Sequence, residues 1–324
     1  MKAVDAGGNA SMLSISALKN GGLNRWRGWN CAVGIHSIHI DGAGNIEGAT
    51  CHVGGSLGNI FGEFTLKSEW SRCTVELCYC SDDIQLPKAA PGTPPDALQR
   101  PVNDAADARR LVALANQQFL SPTGEFRVSW NLGKRCNFNC SYCPPSVHDN
   151  HSPFVPEEKV VQGVEAIWAK MPPKRKLRFT FTGGEPTLHP GYLRIVKAVA
   201  ARPNTIIVTN TNGTRHEEYL SELNELSALY ISVHFEFTQL DKLARKLEKL
   251  NRTLRNRVIV KIMAAPGNLE RVCSFFEALD AIPARKFSIS VEPLVLKAGS
   301  GPAALGYSEE ESAAIRALAR RGFR

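Results

Sequence analysis

The sequence has no run of 18 consecutive apolar residues, which excludes a membrane-crossing helix of ordinary length. Its opening segment, MKAVDAGGNASMLSISALKN, has no continuous apolar stretch, so no secretory leader is expected and the chain is read as cytoplasmic. No internal repeat is visible, and the one biased segment is a short proline-rich stretch. Basic and aromatic residues nowhere interleave convincingly, so nucleic acid is not an expected partner. Hydrophobic residues make up 43% and charged residues 22%, which rules out a wholly disordered or collagen-like chain. At 324 residues there is chain for about two domains with full cores.

What stands out instead is cysteine. Nine are present, in a compartment where disulfides are rare and clustered cysteines bind metal or do chemistry. Cys31, Cys51, Cys73, Cys78 and Cys80 fall in the first quarter, and Cys136, Cys140 and Cys143 form one tight group. Cys273 stands alone in the helix-period segment NLERVCSFFEAL, where a small buried hydrophobe is expected. Net charge is uneven: −1 over residues 1–100 and +9 over the rest. Solvated Lys and Arg on outer helix faces account for this, although a basic half also suits an anionic or phosphorylated substrate.

The stretch LPKAAPGTPPDALQRP (86–101) carries five prolines, which block helices and ladders, and reads as a semi-extended linker over 86–102. After it, Asn103 or Asp104 opens a short helix through DAADARRLVALANQQF. Six strand candidates then alternate with six helix-period segments: 126–132, 177–181, 205–209, 229–235, 257–263 and 286–294, with helices over 156–171, 190–202, 217–226, 239–255, 268–279 and 308–321. Such alternation predicts a parallel sheet with right-handed crossovers. The expected fold is α/β, a partial (β/α)6 TIM-like barrel over 103–324 with its site at the strands' C-terminal ends, and an open doubly wound sheet is the alternative. Residues 1–85 read as a small Cys-rich β module, with strands flanking the turn Asp41–Gly44.

Directly after the first barrel strand comes Cys136-x3-Cys140-x2-Cys143. Three thiolates in one loop can hold three irons of a cube and leave the fourth open. A zinc site would need a fourth ligand, for which His148 is at hand. The second strand ends in Thr182-Gly183-Gly184-Glu185-Pro186, where glycines let backbone approach a ligand and the carboxylate can accept from an ammonium group. The cysteine loop, with Tyr142 before its last cysteine, and Gly183–Pro186 one βα unit later resemble the radical S-adenosylmethionine (SAM) superfamily over residues 125–324. The resemblance implies a [4Fe–4S] cluster on Cys136, Cys140 and Cys143, with SAM chelating its open iron. The segment Thr182, Gly183, Gly184, Glu185 and Pro186, together with Tyr142, Asn212 and Ser232, would bind the cofactor. Reductive cleavage of SAM would yield a 5′-deoxyadenosyl radical that abstracts hydrogen from substrate, with ferredoxin or flavodoxin as electron donor. Polar groups at strand ends usually face such a site, and Glu236 and Glu292 are the expected catalytic carboxylates, ahead of Lys261.

The first-quarter cysteines flank a strand, an Asp-Gly turn, a strand and the segment Leu57–Ile60, and end in Cys73-x4-Cys78-x-Cys80. This resembles the SPASM and twitch auxiliary-cluster modules, here placed before the barrel rather than after it. The resemblance implies one auxiliary [4Fe–4S] cluster drawn from Cys31, Cys51, Cys73, Cys78 and Cys80, with Cys31, Cys51, Cys78 and Cys80 favoured over Cys73 and the fifth thiol either spare or bridging elsewhere. Asp82 and Asp83 read as an exposed turn, with unusual cluster ligands as the alternative. An auxiliary cluster suits net oxidation, so crosslinking or dehydrogenation of a peptide is expected first and oxidation or rearrangement of a small polar metabolite second. A zinc-bearing, nucleic-acid-binding scaffold is the reading from another class.

Overall fold

The computed structural model describes residues 24–89, 124–143 and 147–294 and 305–322, together with 2–4, 10–12, 15, 19, 91, 118–120 and 145. Its strands are β1 (Lys2–Val4), β2 (Ala10–Met12), β3 (Asn30–Cys31), β4 (Ser37–Ile40), β5 (Asn45–Glu47), β6 (Ser56–Asn59), β7 (Ser71–Arg72), β8 (Lys88–Ala89), β9 (Gln118–Leu120), β10 (Phe126–Asn131), β11 (Leu177–Thr182), β12 (Thr205–Thr211), β13 (Ala228–Val233), β14 (Val258–Ala264) and β15 (Ser288–Pro293). Its helices are α1 (Ser81–Ile84), α2 (Glu157–Ala169), α3 (Tyr192–Ala200), α4 (Glu217–Leu226), α5 (Leu240–Thr253), α6 (Leu269–Asp280) and α7 (Glu309–Gly322).

Strands β10 to β15 lie side by side in chain order, all parallel, with helices between them. This is the expected βα alternation and a mostly parallel α/β fold. Helix starts follow local chemistry: Pro156 precedes α2, and at α7 Ser308 and Glu311 bond each other's backbone N–H in a capping box.

Residue alternation sets the two faces of the sheet. On β10, Phe126, Val128 and Trp130 are buried toward the helices, and on β11 Leu177, Phe179 and Phe181 do the same. Each large apolar side chain so buried contributes about 1.5–3 kcal/mol. The intervening residues are polar and face the barrel interior: Arg127 and Ser129, Arg178 and Thr180, Asn210, Tyr230, Lys261. Parallel strands buried on both faces are usually continuously apolar, so this alternation marks a hollow interior.

The N-terminal residues depart from the expected separate module. The hairpin β4–β5 forms around the Asp41–Gly44 turn as expected, but β4 also pairs parallel with β10, giving one sheet of order β15-β14-β13-β12-β11-β10-β4-β5-β6. Ile38, Ile40, Ile46, Ile60 and Phe64 share one core with the barrel. The start of the expected linker is also structured, since β8 pairs with β3 and β9 in a second sheet, β2-β1-β9-β8-β3-β7. The rest of the linker beyond 91, and the expected helix up to 117, lie outside the described residues, while Gln118 and Phe119, the last residues of that segment, belong to a strand.

Candidate active site

The cysteine loop leaves the C-terminal end of β10 and is held on three sides. From β11, Gly184 N donates to Gly133 O at 2.9 Å and Glu185 N to Arg135 O at 2.8 Å. A Cβ on Gly183 would collide with Gly133 O, and one on Gly184 with the carbonyls of Lys134 and Arg135. The glycines expected to admit a ligand therefore admit the cysteine loop itself. From β13, Glu236 accepts from Ser141 N at 2.7 Å and from the Ser141 hydroxyl. From β12, Asn212 Nδ2 donates to Asn137 Oδ1 at 2.9 Å and reaches Cys136 Sγ at 3.9 Å.

Cys136, Cys140 and Cys143 line one cavity of about 360 Å³ with Gly183–Glu185, Asn212, Ser232, His234 and Met263. Burial raises all three thiols, Cys140 to about 11. Cys136 Sγ also accepts from Phe138 N at 3.3 Å. A cluster with one open iron fits this donor set: three thiols on one wall, N–H groups already aimed at sulfur, and room for a ligand of drug size beside them. The zinc reading fits less well. His148 commits Nε2 to the Phe138 carbonyl, and among the described residues no three His, Cys, Asp or Glu side chains close on one point as the ligands of a single ion do.

Glu185 is buried, and its carboxylate collects Thr187 N, Thr211 Oγ1 and Asn212 N at 3.0, 2.8 and 2.6 Å, besides the Thr187 hydroxyl. Burial raises its pKa and these donors oppose the rise. Pro186 begins the 3-10 turn Pro186–Leu188, and Thr182 borders the cavity. Tyr142 shares a 2.7 Å hydrogen bond with His234 Nδ1, and burial lowers His234 to about 4, so its imidazole is neutral near pH 7.

The two expected catalytic carboxylates separate. Glu236 is a clamp on the cysteine loop, because both its oxygens are taken by Ser141. Glu292 does line the cavity, paired with Lys19 at 2.9 Å. Burial works against its charge, but Lys19 and Lys261 prevail and hold its carboxyl down at about 2.

A second cavity of about 420 Å³ lies deeper in the barrel. Its wall carries Arg127, Arg178, Tyr230 and Lys261 on the barrel side and Cys51, Cys78, Cys80 and Asp83 on the N-terminal side. Tyr79, Thr182 and Asn210 border both cavities. Arg127 and Arg178 share Glu125 at 3.1 and 2.8 Å, and Lys261 lies 4.6 Å from the Tyr230 ring centre. Cys31 and Cys73 are buried behind this wall, Cys31 among Val33, Ala49, Val53 and Leu86 and Cys73 against Trp26 and Ile84. Asp83 is not an exposed turn residue: it is 4% exposed. Sequence reasoning also missed Lys19, Tyr79, Arg127 and Arg178; the polar alternation in β10 and β11 was the available signal for the two arginines.

The radical SAM superfamily model matches residues 130–278. GTP 3′,8-cyclase of Rippkaea orientalis is 29% identical over 122 residues, 36% of each chain, and that of Acaryochloris marina is 32% identical over 110 residues, 33% of each. The chain thus spans about a third of the length of these curated relatives. Among solved structures, anSMEcpe with bound AdoMet covers 52% of this chain and 51% of its own, at 17% identity and a TM-score of 0.40. Through residues 130–278, where the three-cysteine loop and the Gly-Gly-Glu-Pro turn dock against each other, this chain is similar to the radical SAM superfamily.

Proposed function

We propose that the protein is a radical SAM enzyme that abstracts hydrogen from a small polar molecule bearing an anionic group, held inside the barrel between the SAM-side cysteines and an auxiliary iron–sulfur site. When bound, the reduced cluster and SAM supply a 5′-deoxyadenosyl radical. Cys136, Cys140 and Cys143 would hold that cluster, and the Gly183–Glu185 backbone, Asn212 and Ser232 would seat SAM.

The observation that carries this reading is the pair of adjoining cavities, one walled by the loop cysteines and the other by Cys51, Cys78 and Cys80, with Tyr79, Thr182 and Asn210 at their common border. A substrate in the deeper cavity would meet Lys261 and the guanidinium groups of Arg127 and Arg178, which are paired with Glu125 and Asp82. Interior cavities of these volumes suit a small molecule better than a peptide, and the curated relatives are named for action on GTP, a polyanion. The metabolite reading is therefore preferred to peptide modification.

Anaerobic protein reduced with dithionite should convert SAM to 5′-deoxyadenosine, and a panel of anionic metabolites beginning with GTP should raise that rate and acquire or lose deuterium at carbon. A panel in which only peptides stimulate cleavage would reverse the preference. Colourless protein holding only zinc would remove the radical reading altogether.

A further inference from the structure

We propose that Asp83 supplies an oxygen ligand to the auxiliary iron–sulfur cluster, with three of the five N-terminal cysteines holding its other irons. This rests on the auxiliary site of the proposed function.

Asp83 sits three residues after Cys80, in the short helix α1 whose N-cap is Cys80. It is almost fully buried, and its Oδ2 has no hydrogen-bond partner among the described residues. A buried carboxylate oxygen left unpaired is costly, and the usual remedy is a cation or a metal. The nearby cation does not provide it. Lys88 is also buried, but its Nζ donates to the backbone carbonyls of Asp83, Ile84 and Leu86 at 2.6, 3.2 and 3.2 Å, and its ammonium lies 4.4 Å from the Trp26 ring centre. That ammonium is spent on the chain around the site, where it offsets negative charge gathered there.

What the carboxyl does face is sulfur. The Cys80 thiol and the Thr50 backbone N–H both favour the charged carboxylate of Asp83, and that charge is felt at Cys31, Cys51, Cys78 and Cys80 alike. Cys51, Cys78, Cys80 and Asp83 together form the N-terminal wall of the deeper cavity. Three thiolates and one carboxylate supply the four donors that a cube takes, and iron accepts both donor types. Cys73 does not line that cavity, and its thiol donates to Val75 O at 3.8 Å. Coordination gives an oxygen lone pair to iron and changes no oxidation state.

The test isolates the auxiliary cluster in the full chain by replacing Cys136, Cys140 and Cys143 with Ala, then adds Asp83→Ala, Asp83→Asn or Asp83→Cys. Iron and sulfide content, the electron paramagnetic resonance spectrum and the midpoint potential are read after anaerobic reconstitution. Asp83→Ala and Asp83→Asn should lose one iron to a three-iron cluster or lose the cluster entirely. Asp83→Cys should retain full iron at a more negative potential with a changed spectrum. If Asp83→Asn keeps the parent's iron content, spectrum and potential, the assignment is overturned. Should Asp83→Ala fail to fold by circular dichroism, the isosteric Asn and the Cys variants decide. A parent that takes up no auxiliary cluster at all would instead overturn the reading of the site on which the assignment rests, an outcome visible before any Asp83 variant is made.

Discussion

The backbone N–H of Asn212 donates to Glu185 Oε2 at 2.6 Å, tying the end of β12 to the Gly-Gly-Glu-Pro turn that follows β11. Asn212 in turn reaches Cys136 Sγ, so one buried carboxylate sets the position of a group that touches a thiol of the cysteine loop. Glu185→Gln would place an amide N–H₂ where donors now point. Stability should fall by about 1–3 kcal/mol, the cost of unpaired buried polar groups, and SAM affinity should fall with it. Denaturant titration and calorimetric SAM binding check both; an unchanged midpoint would show that the four donors do not depend on the charge.

Gly184→Ala should expel the SAM-side cluster. Its methyl would strike the Lys134 and Arg135 carbonyls, which are backbone and cannot rotate away. Iron should drop to roughly half, the auxiliary cluster surviving. Gly62→Ala is the control, since a Cβ there meets nothing within 4 Å. Equal iron in both variants would mean that the loop has slack.

Glu236→Ala should lower 5′-deoxyadenosine formation about tenfold, the rate equivalent of roughly 1.4 kcal/mol lost from a positioning contact. Glu236→Gln, which keeps an acceptor for Ser141, should recover most of it and leave the pH profile unchanged. If Gln is as inactive as Ala and the profile shifts, Glu236 is moving a proton and its clamp role is secondary.

Glu292 gives a pH prediction. Its pKa is depressed in the folded protein to about 2, from an ordinary 4.5, so its contribution is complete above the ordinary value and is lost as pH falls through about 2. The shift corresponds to on the order of 3 kcal/mol. The stability gap between the parent and Glu292→Gln should therefore be widest near neutral pH and close progressively below pH about 4.5. A gap constant from pH 7 to 2 would show that the Lys19 pair contributes nothing through charge.

The barrel was legible because each βα unit announces itself locally: β-branched strand, turn, 3.6-period helix. All six strands lie within a residue or two of their expected bounds, or run on by two, as at Thr205–Thr211. The cysteine loop and Gly183–Pro186 were legible as motifs, but what the glycines touch was not, since their neighbours lie 49 to 52 residues away. Glu236 looked catalytic because strand-end carboxylates usually face the site, and only the folded loop brings Ser141 to it. Asp82-Asp83 read as a surface turn because two adjacent acids rarely leave water; Asp83 does so beneath a lid of thiols that local sequence cannot show. The β4–β10 pairing had no local signal at all.

That pairing has a practical consequence. An incomplete barrel has two raw margins, each offering unpaired backbone groups to any passing strand. Here the margin beside β10, the strand that leads into the cysteine loop, is occupied by β4. A fragment cut at the proline-rich stretch would uncover it, together with the apolar faces of Phe126, Val128 and Trp130 that pack in one core with Ile38 and Ile40. Expression of residues 103–324 alone should yield aggregate rather than a minimal enzyme, because the cysteine-rich segment that comes first in the chain is also the barrel's missing stave.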